Sequence, residues 1–211
     1  MTEPPPLEGY QVIGRIIRLQ IQRQTLKHPL EPKPGHDRSP EQFYDPQHIL
    51  ASEELWVADT VAAIQLGDDY VIDVHAAAHP RSRNRGNGNM LSIGFTSHYD
   101  KMRDRFDDHL TDGIAGENIL VEASGILDVE DFAAGLAIQT AHGELVECNE
   151  VTIAAPCVEF SRFCLGDRYA DPRATSDALR FLGNGTRGFY GYISSGLPAM
   201  IRTGDTLLVG P

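Results

Sequence analysis

The chain has 211 residues, of which 41 % are apolar and 23 % are charged, and its formal net charge is −12. This composition is typical of a globular protein and excludes wholesale disorder. The acidic excess predicts a chain that, as a whole, repels nucleic acid and anionic membranes. No apolar stretch approaches the roughly 20 residues that a membrane-spanning helix needs.

The start of the chain has neither the basic segment nor the apolar segment of a secretory signal. The three cysteines are an odd number, and no C-x-x-C pair occurs, which argues against a disulfide framework and a structural zinc site. We therefore expect a cytoplasmic protein in a reducing compartment, with neither nucleic acid nor membrane among its partners.

Short strands dominate the predicted elements. Residues 1–8 include three consecutive prolines and are expected to form a flexible arm before a single domain at 9–211. A strand is predicted within 9–26, because Ile17, Leu19 and Ile21 alternate with polar residues. Five prolines predict a long loop at 27–47. Further strands are expected at 55–57, 70–74, 91–95, 119–121, 136–140, 145–148, 151–154, 189–194 and 206–209.

Two helices are predicted between these strands. The first opens at residue 97 on a sequence that fits a capping box with Asp in place of Glu. Its apolar residues then repeat at helical spacing: Tyr99, Met102 and Phe106. The second has Asp171 as its cap and Pro172 as its first helical residue, and it ends at the glycines of 183–185. Many short strands with a few helices predict a mainly β fold, a closed or nearly closed β-barrel.

The acidic excess is interrupted between residues 81 and 105, where six basic residues meet only two acidic ones. The six are Arg81, Arg83, Arg85, Lys101, Arg103 and Arg105. This concentration of cations predicts either a site for an anion or a solvated basic surface. Residues 81–89 also resemble RNA-binding Arg-Gly segments, but the acidic charge elsewhere argues against nucleic acid.

Two other patterns, one rich in glycine and one with histidines, are of types that can bind a ligand. Residues 183–188 match the letters of the G-x-G-x-x-G fingerprint, but a helix is predicted before them and a strand after them, the reverse of the required order. Asp73, His75 and His79 are residue types that bind zinc or iron. Because Pro80 disfavours the helix on which the two imidazoles would converge, the alternative is that His75 makes a strand-end contact or binds a ligand.

The segment 112–119 is a candidate binding turn. Two glycines there bring Glu117 and Asn118 to the start of a strand, where these side chains offer hydrogen-bond acceptors and an amide donor. The alternative is a turn that its own Asn and Glu stabilise.

The segment 155–162 carries a candidate reactive thiol. Pro156 has no N–H to donate, so Cys157 is expected at the exit of a strand. Arg162 follows nearby, and a cation would favour the thiolate, the form that binds metals. The alternative for Cys157 is a small buried apolar residue, which is also the interpretation of Cys148 and Cys164.

The tail predicts a strand over 189–194, a turn at 204–205 and a final strand, and the alternative is a plain closing hairpin with no ligand contact. The chain contains, in this order, the segment GIAGENI, a Pro-Cys pair at a strand end, a glycine-rich strand with Tyr, and the pattern I-x-x-G-D-x-L-x-V. This set resembles the MOSC domain, the module at the C-terminus of molybdenum cofactor sulfurases. The resemblance covers roughly residues 53–209 and includes the region 73–102. The family's His-Gly-Gly pattern is replaced here by three alanines between His75 and His79.

The resemblance implies a MOSC-type β-barrel that binds the molybdenum cofactor (molybdopterin). By similarity to amidoxime-reducing members, it implies reduction of N-hydroxylated substrates, with Cys157 as metal ligand and catalytic residue. Pyridoxal phosphate is not expected, because it belongs to another domain of the full sulfurases. The residues expected to hold the cofactor are His75, Arg81, Arg83, Arg85, Glu117, Asn118, Arg162 and Arg187.

No flavin, haem or iron–sulfur motif is present in the sequence. The expected partners are therefore an electron-donating reductase or cofactor-synthesis proteins. Two alternatives stay open: a non-catalytic carrier of the cofactor or of sulfane sulfur on Cys157, and a metal-free binding module for a phosphorylated metabolite.

Overall fold

The computed structural model describes residues 7–28, 43–83, 90–166 and 171–210. Most of the predicted arm, most of the predicted loop at 27–47, and Arg85 lie outside these residues. The strands within them are β1 (Gln11–Gln22), β2 (Ile49–Ser52), β3 (Glu54–Ala58), β4 (Val61–Leu66), β5 (Asp69–Ile72), β6 (Met90–Phe95), β7 (Ile119–Glu122), β8 (Leu136–Gln139), β9 (Leu145–Ile153), β10 (Phe189–Ser195), β11 (Ala199–Arg202) and β12 (Thr206–Val209). The α-helices are α1 (Thr96–Phe106), α2 (Val158–Leu165) and α3 (Pro172–Phe181).

Seven strands form a closed barrel, which confirms the predicted mainly β fold. Their order is β12-β8-β9-β10-β6-β7-β1, and pairing of β1 with β12 closes the ring. Within the ring only β6 and β7 run parallel, and they are linked by α1. A second sheet has the order β11-β3-β4-β5, and β2 extends the barrel sheet alongside β1.

The first part of β1 presents a different face to the core from the predicted one. Its pairing with β7 shifts register between Ile16 and Arg18. Ile16 is consequently buried, whereas Ile17 is 43 % exposed. Beyond this irregularity Leu19 and Ile21 are buried, as the alternation predicted. A bulge of this kind exchanges the two faces of a strand, which a strict period of two does not reveal.

The other strands follow the prediction with three differences. Residues 145–148 and 151–154 belong to one continuous strand, β9. Strands β2, β4 and β11 were not predicted. The last two strands do not form a hairpin, because β11 pairs with β3 whereas β12 pairs with β1 and β8.

The helices confirm the predicted spacing of buried residues in α1, but only one of the two predicted N-terminal caps. Tyr99, Met102 and Phe106 of α1 are buried. The predicted capping box is wrong, because α1 begins at Thr96 and the Ser97 hydroxyl donates to the Gly125 carbonyl at 2.7 Å. The cap of α3 is confirmed, since the Asp171 side chain accepts from the Arg173 N–H at 2.8 Å. Among the described residues, no helix is long and apolar enough to cross a bilayer.

Two hydrophobic clusters support the fold. One fills the barrel and includes Leu19, Phe95 and Phe189. The other lies among the helices and includes Phe106 and Phe160. The second cluster fixes α2, which carries Cys157 at its N-terminus, against the barrel wall.

Gly188 lies where the chain enters β10 beside β6. Its φ is +115°, and a Cβ there would lie 2.3 Å from the Ile93 carbonyl oxygen. We expect Gly188→Ala to lower the free energy of unfolding by about 2–4 kcal/mol, because the backbone of β6 has to move. Urea denaturation measures the change. Gly125→Ala is the control, because nothing lies within 4 Å of its Cβ position, and it should cost less than about 0.5 kcal/mol. Equal losses in both variants would contradict this packing.

Candidate functional site

A cleft of about 1000 Å³, counting the part open to solvent, gathers residues that are distant in sequence. Four of the predicted site residues line it: His75, Asn118, Cys157 and Arg187. Three further polar residues on its walls, Lys27, Tyr44 and Tyr190, were not predicted as site residues. The structure therefore unites four of the eight predicted site residues that it describes, and it adds a cation and two phenols.

Sequence signals for the missed residues are weak. Lys27 follows β1 at the edge of the described part of the proline-rich segment, and an isolated bridge pairs it with Tyr44. Tyr190 alternates with the buried Phe189 on β10, so a period-two argument places it on the other face of that strand. Alternation predicts which side chains share a face of a strand, but it does not predict which part of the fold that face contacts.

Cys157 is the N-cap of α2, a helix that the sequence did not predict. Its thiol is partly exposed, and the sulfur accepts a hydrogen bond from the Phe160 N–H at 3.3 Å. Burial raises the pKa of the Cys157 thiol, whereas that hydrogen bond and the charge of Lys27 lower it and Glu159 raises it further. The unliganded group is therefore a thiol near neutral pH.

The structure places Arg162 against an aromatic ring and not on the cleft. We expected its charge to favour the Cys157 thiolate, but the guanidinium lies over the Phe43 ring, 5.1 Å from the ring centre. It is not among the residues that line the cleft. The cation that acts on the thiol is Lys27. A separation of five residues along the chain is thus a poor guide to distance across a strand-to-helix junction.

The other two cysteines are buried, as expected. Burial raises the pKa of Cys148 to about 12 and that of Cys164 well above its ordinary value. A thiol with so high a pKa is unreactive near neutral pH. Among the three cysteines, only Cys157 combines partial exposure with a position on the cleft.

The glycine turn has the conformation that the sequence predicted, but β1 holds it. Gly113 and Gly116 have φ values of +84° and +79°. Their carbonyl groups accept hydrogen bonds from the side-chain amides of Gln20 and Gln22, at 2.6 and 2.7 Å. The turn is thus held by two buried glutamines of another strand rather than by its own Asn and Glu.

Asn118 connects three parts of the fold. Its Oδ1 accepts from the backbone N–H of Ser92 at 3.1 Å and from the Ser92 hydroxyl at 2.9 Å. Its Nδ2 donates to the Gln20 carbonyl at 3.3 Å and to Asp73 Oδ2 at 3.1 Å. An amide has two donors and one oxygen that accepts about two bonds, so these contacts use its capacity. The structure gives Asn118 a supporting role in the cleft wall, and its predicted contact with a pterin stays a prediction.

Asp73 holds His75 at the cleft. The Asp73 side chain is 3 % exposed, and its Oδ1 accepts from the His75 backbone N–H at 2.7 Å and contacts His75 Nδ1 at 3.2 Å. The His75 side chain is 46 % exposed. His79 Nδ1 instead accepts from the Arg81 N–H at 3.1 Å. Over the described residues, no three His, Cys, Asp or Glu side chains are grouped so as to hold a metal, so Asp73, His75 and His79 do not form the cluster considered above.

Arg187 reaches the cleft through a buried polar cluster. Its Nη2 donates to the Ala115 carbonyl at 2.9 Å. Glu117 lies behind the wall and does not line the cleft. The Tyr99 hydroxyl donates to Glu117 Oε2 at 3.0 Å. Burial raises the pKa of Glu117, whereas the charge of Arg187 and the Tyr99 hydrogen bond lower it. Glu117 is thus buried beside the cleft under the electrostatic influence of Arg187, and its expected contact with a ligand stays a prediction.

The basic residues of 81–105 do not form one site. Arg81 and Arg83 are exposed and do not line the cleft, and Arg85 lies outside the described residues. On α1, Arg103 pairs with Asp100 at 2.7 Å and with Asp112 at 2.8 Å. The Arg105 guanidinium lies 4.5 Å from the centre of the Phe181 ring. The arginines of α1 thus stabilise local packing. A count of charges along the chain does not show toward which part of the fold each side chain is directed.

Comparison with known proteins supports the fold alone. No protein-family model matches the sequence, and no functionally curated protein matches it. Among solved structures, the YuaD protein from Bacillus subtilis is similar, with a TM-score of 0.54 and 13 % sequence identity. The alignment covers 94 % of this chain and 96 % of that one. The two chains therefore share an architecture over nearly their whole lengths.

The thiol environment can be tested on the protein without ligand. Iodoacetamide should alkylate Cys157 alone, and the rate should rise with pH into the alkaline range, because the thiolate is the nucleophile and burial raises its pKa. Lys27→Met removes a charge that lowers this pKa, so alkylation at pH 8 should slow by a factor of about two to three. Mass spectrometry follows the adduct. Lys101→Met, on α1 over the Phe181 ring, should leave the rate unchanged, and equal slowing in both variants would contradict the assignment.

Proposed function

We propose that this protein is a MOSC-type molybdenum cofactor protein that reduces N-hydroxylated substrates with electrons from a partner reductase. The observation that supports this most directly is a partly exposed thiol, Cys157, on a cleft that two cations also line, Lys27 and Arg187. The sequence resemblance suggests the family, and the cleft offers a site with suitable chemistry.

The residues present suit the cofactor. Thiolate is a soft ligand that matches a sulfur-rich metal centre, and metal binding favours loss of the Cys157 proton in spite of its raised pKa. The phosphate of the cofactor needs charge-assisted donors. Lys27 and Arg187 line the cleft, whereas Arg81 and Arg83 do not. The proposed anion contacts are therefore Lys27 and Arg187, in place of Arg81 and Arg83.

The cofactor would supply the redox-active metal through which electrons reach the substrate. The tasks of this chain are to hold it and to orient the substrate. Cys157 at the N-terminus of α2 would be the ligand, and the cations would fix the anionic end. The phenol rings of Tyr44 and Tyr190 give the cleft aromatic surface suited to a flat heterocycle.

Molybdenum content tests this proposal. After purification from cells that make the cofactor, we expect close to one molybdenum per chain and the fluorescence of oxidised pterin. Cys157→Ala should lower the metal content by at least about tenfold, because it removes the only protein ligand proposed. Elemental analysis by mass spectrometry measures the ratio. Cys148→Ala is the matched control, because Cys148 is buried in the barrel and should leave molybdenum unchanged.

Three outcomes separate the proposed function from its alternatives. Molybdenum retention together with reduction of a hydroxylamine, in the presence of a reductase chain, supports the enzyme. Retention without reduction identifies a carrier of the cofactor. A protein that binds phosphorylated metabolites but neither molybdenum nor pterin contradicts the proposal and identifies the metal-free module.

A further inference from the structure

Asp73 is arranged as an anchor for one imidazole. Its carboxylate contacts nitrogen donors of His75 and Asn118, and Oδ2 also accepts the Gln22 backbone N–H at 2.8 Å. Two of these contacts come from His75, one from its backbone and one from its ring. A carboxylate with donors on both oxygens has little freedom to turn. The direction of the His75 ring is thus set by a buried group rather than by solvent.

This contact selects a tautomer of His75. Because Asp73 accepts hydrogen bonds, its contact with Nδ1 at 3.2 Å requires the ring proton on Nδ1. In the neutral ring, Nε2 is then the position at which a proton is gained and lost. His75 lines the cleft, so this exchange takes place at the wall of the cavity that Cys157 also lines.

The remaining titratable groups of the cleft are less suited to exchange a proton near neutral pH. In the part of the chain that the structure describes, those that line it with His75 are Lys27, Tyr44, Asp73, Cys157, Arg187 and Tyr190. Lysine and arginine side chains are ordinarily cationic there, and burial raises the pKa of Tyr44 well above its usual value. Asp73 is occupied with its donors, and Cys157 is the proposed ligand. Imidazole is the side chain in this set that ordinarily cycles its proton near neutral pH.

We infer that His75, positioned by Asp73, donates a proton to the oxygen that leaves an N-hydroxylated substrate. The inference rests on the proposed function. In the step, the N–O bond breaks as two electrons from the partner reductase reach the substrate. The oxygen takes a proton from His75 Nε2 and leaves as water, and the nitrogen takes a second proton from solvent to become an amine. Solvent then returns a proton to His75. Asp73 is a positioning residue, since it acts only through the imidazole.

The tautomer can be measured without the cofactor. In cofactor-free protein at pH 8, the imidazole nitrogen-15 shifts of His75, assigned with His75→Gln, should show the proton on Nδ1. Asp73→Asn should shift the population toward the Nε2–H form, whereas Asp45→Asn, near His28 and His48, should not. An Nε2–H form in the wild type would overturn the inference. If Asp73→Asn does not fold, the wild-type shifts alone decide the question.

The protein with its cofactor bound provides the second test. His75→Gln should keep its molybdenum and lose about 10²- to 10³-fold in kcat, together with the limb of the pH profile that reports the donor. His79→Gln, in the same segment but not lining the cleft, should retain kcat. Full turnover by His75→Gln, or loss of its molybdenum, would overturn the proton-donor role. Absence of molybdenum from the wild type instead refutes the proposed function itself, so the two failures are distinguishable.

Discussion

The cleft depends on a buried hydrogen-bond network centred on Asn118. This one amide joins β1 through the Gln20 carbonyl, β6 through Ser92, and the segment after β5 through Asp73. Each of these polar groups is largely removed from water. A buried donor or acceptor that loses its partner costs about 1–3 kcal/mol, so the network stabilises the structure only when it is complete. That requirement fixes three chain segments relative to one another where the cleft forms.

The same strands position the chemistry on either side of this network. Asp73 directs His75 toward the cavity, and the glycine turn that β1 holds contains Ala115, whose carbonyl group accepts from Arg187. Cys157 comes from a separate element, the N-terminus of α2, which the helical cluster packs against the barrel. The site thus combines rigid polar supports with one thiol and two cations. Such support is what a bound cofactor and an oriented proton donor both need.

Local rules predicted the features that depend on neighbours in sequence. The cap of α3, the buried spacing of α1 and the glycine turn follow from residues within a few positions of one another. Three features escaped, each for a physical reason. The bulge at Ile17 depends on pairing with β7. Helix α2 follows directly on Pro156, whose signal suggested only the end of a strand. Lys27 reaches the cleft through tertiary folding, and the described arginines of 81–105 do not line it for the same reason.

The central claim is that the Cys157 sulfur binds molybdenum in this cleft. X-ray absorption at the molybdenum K edge, on the purified holoprotein and on Cys157→Ser, tests it most directly. We expect the molybdenum of the serine variant, where it retains metal, to have one sulfur neighbour fewer and one oxygen neighbour more. The same sulfur coordination in both proteins would contradict the claim.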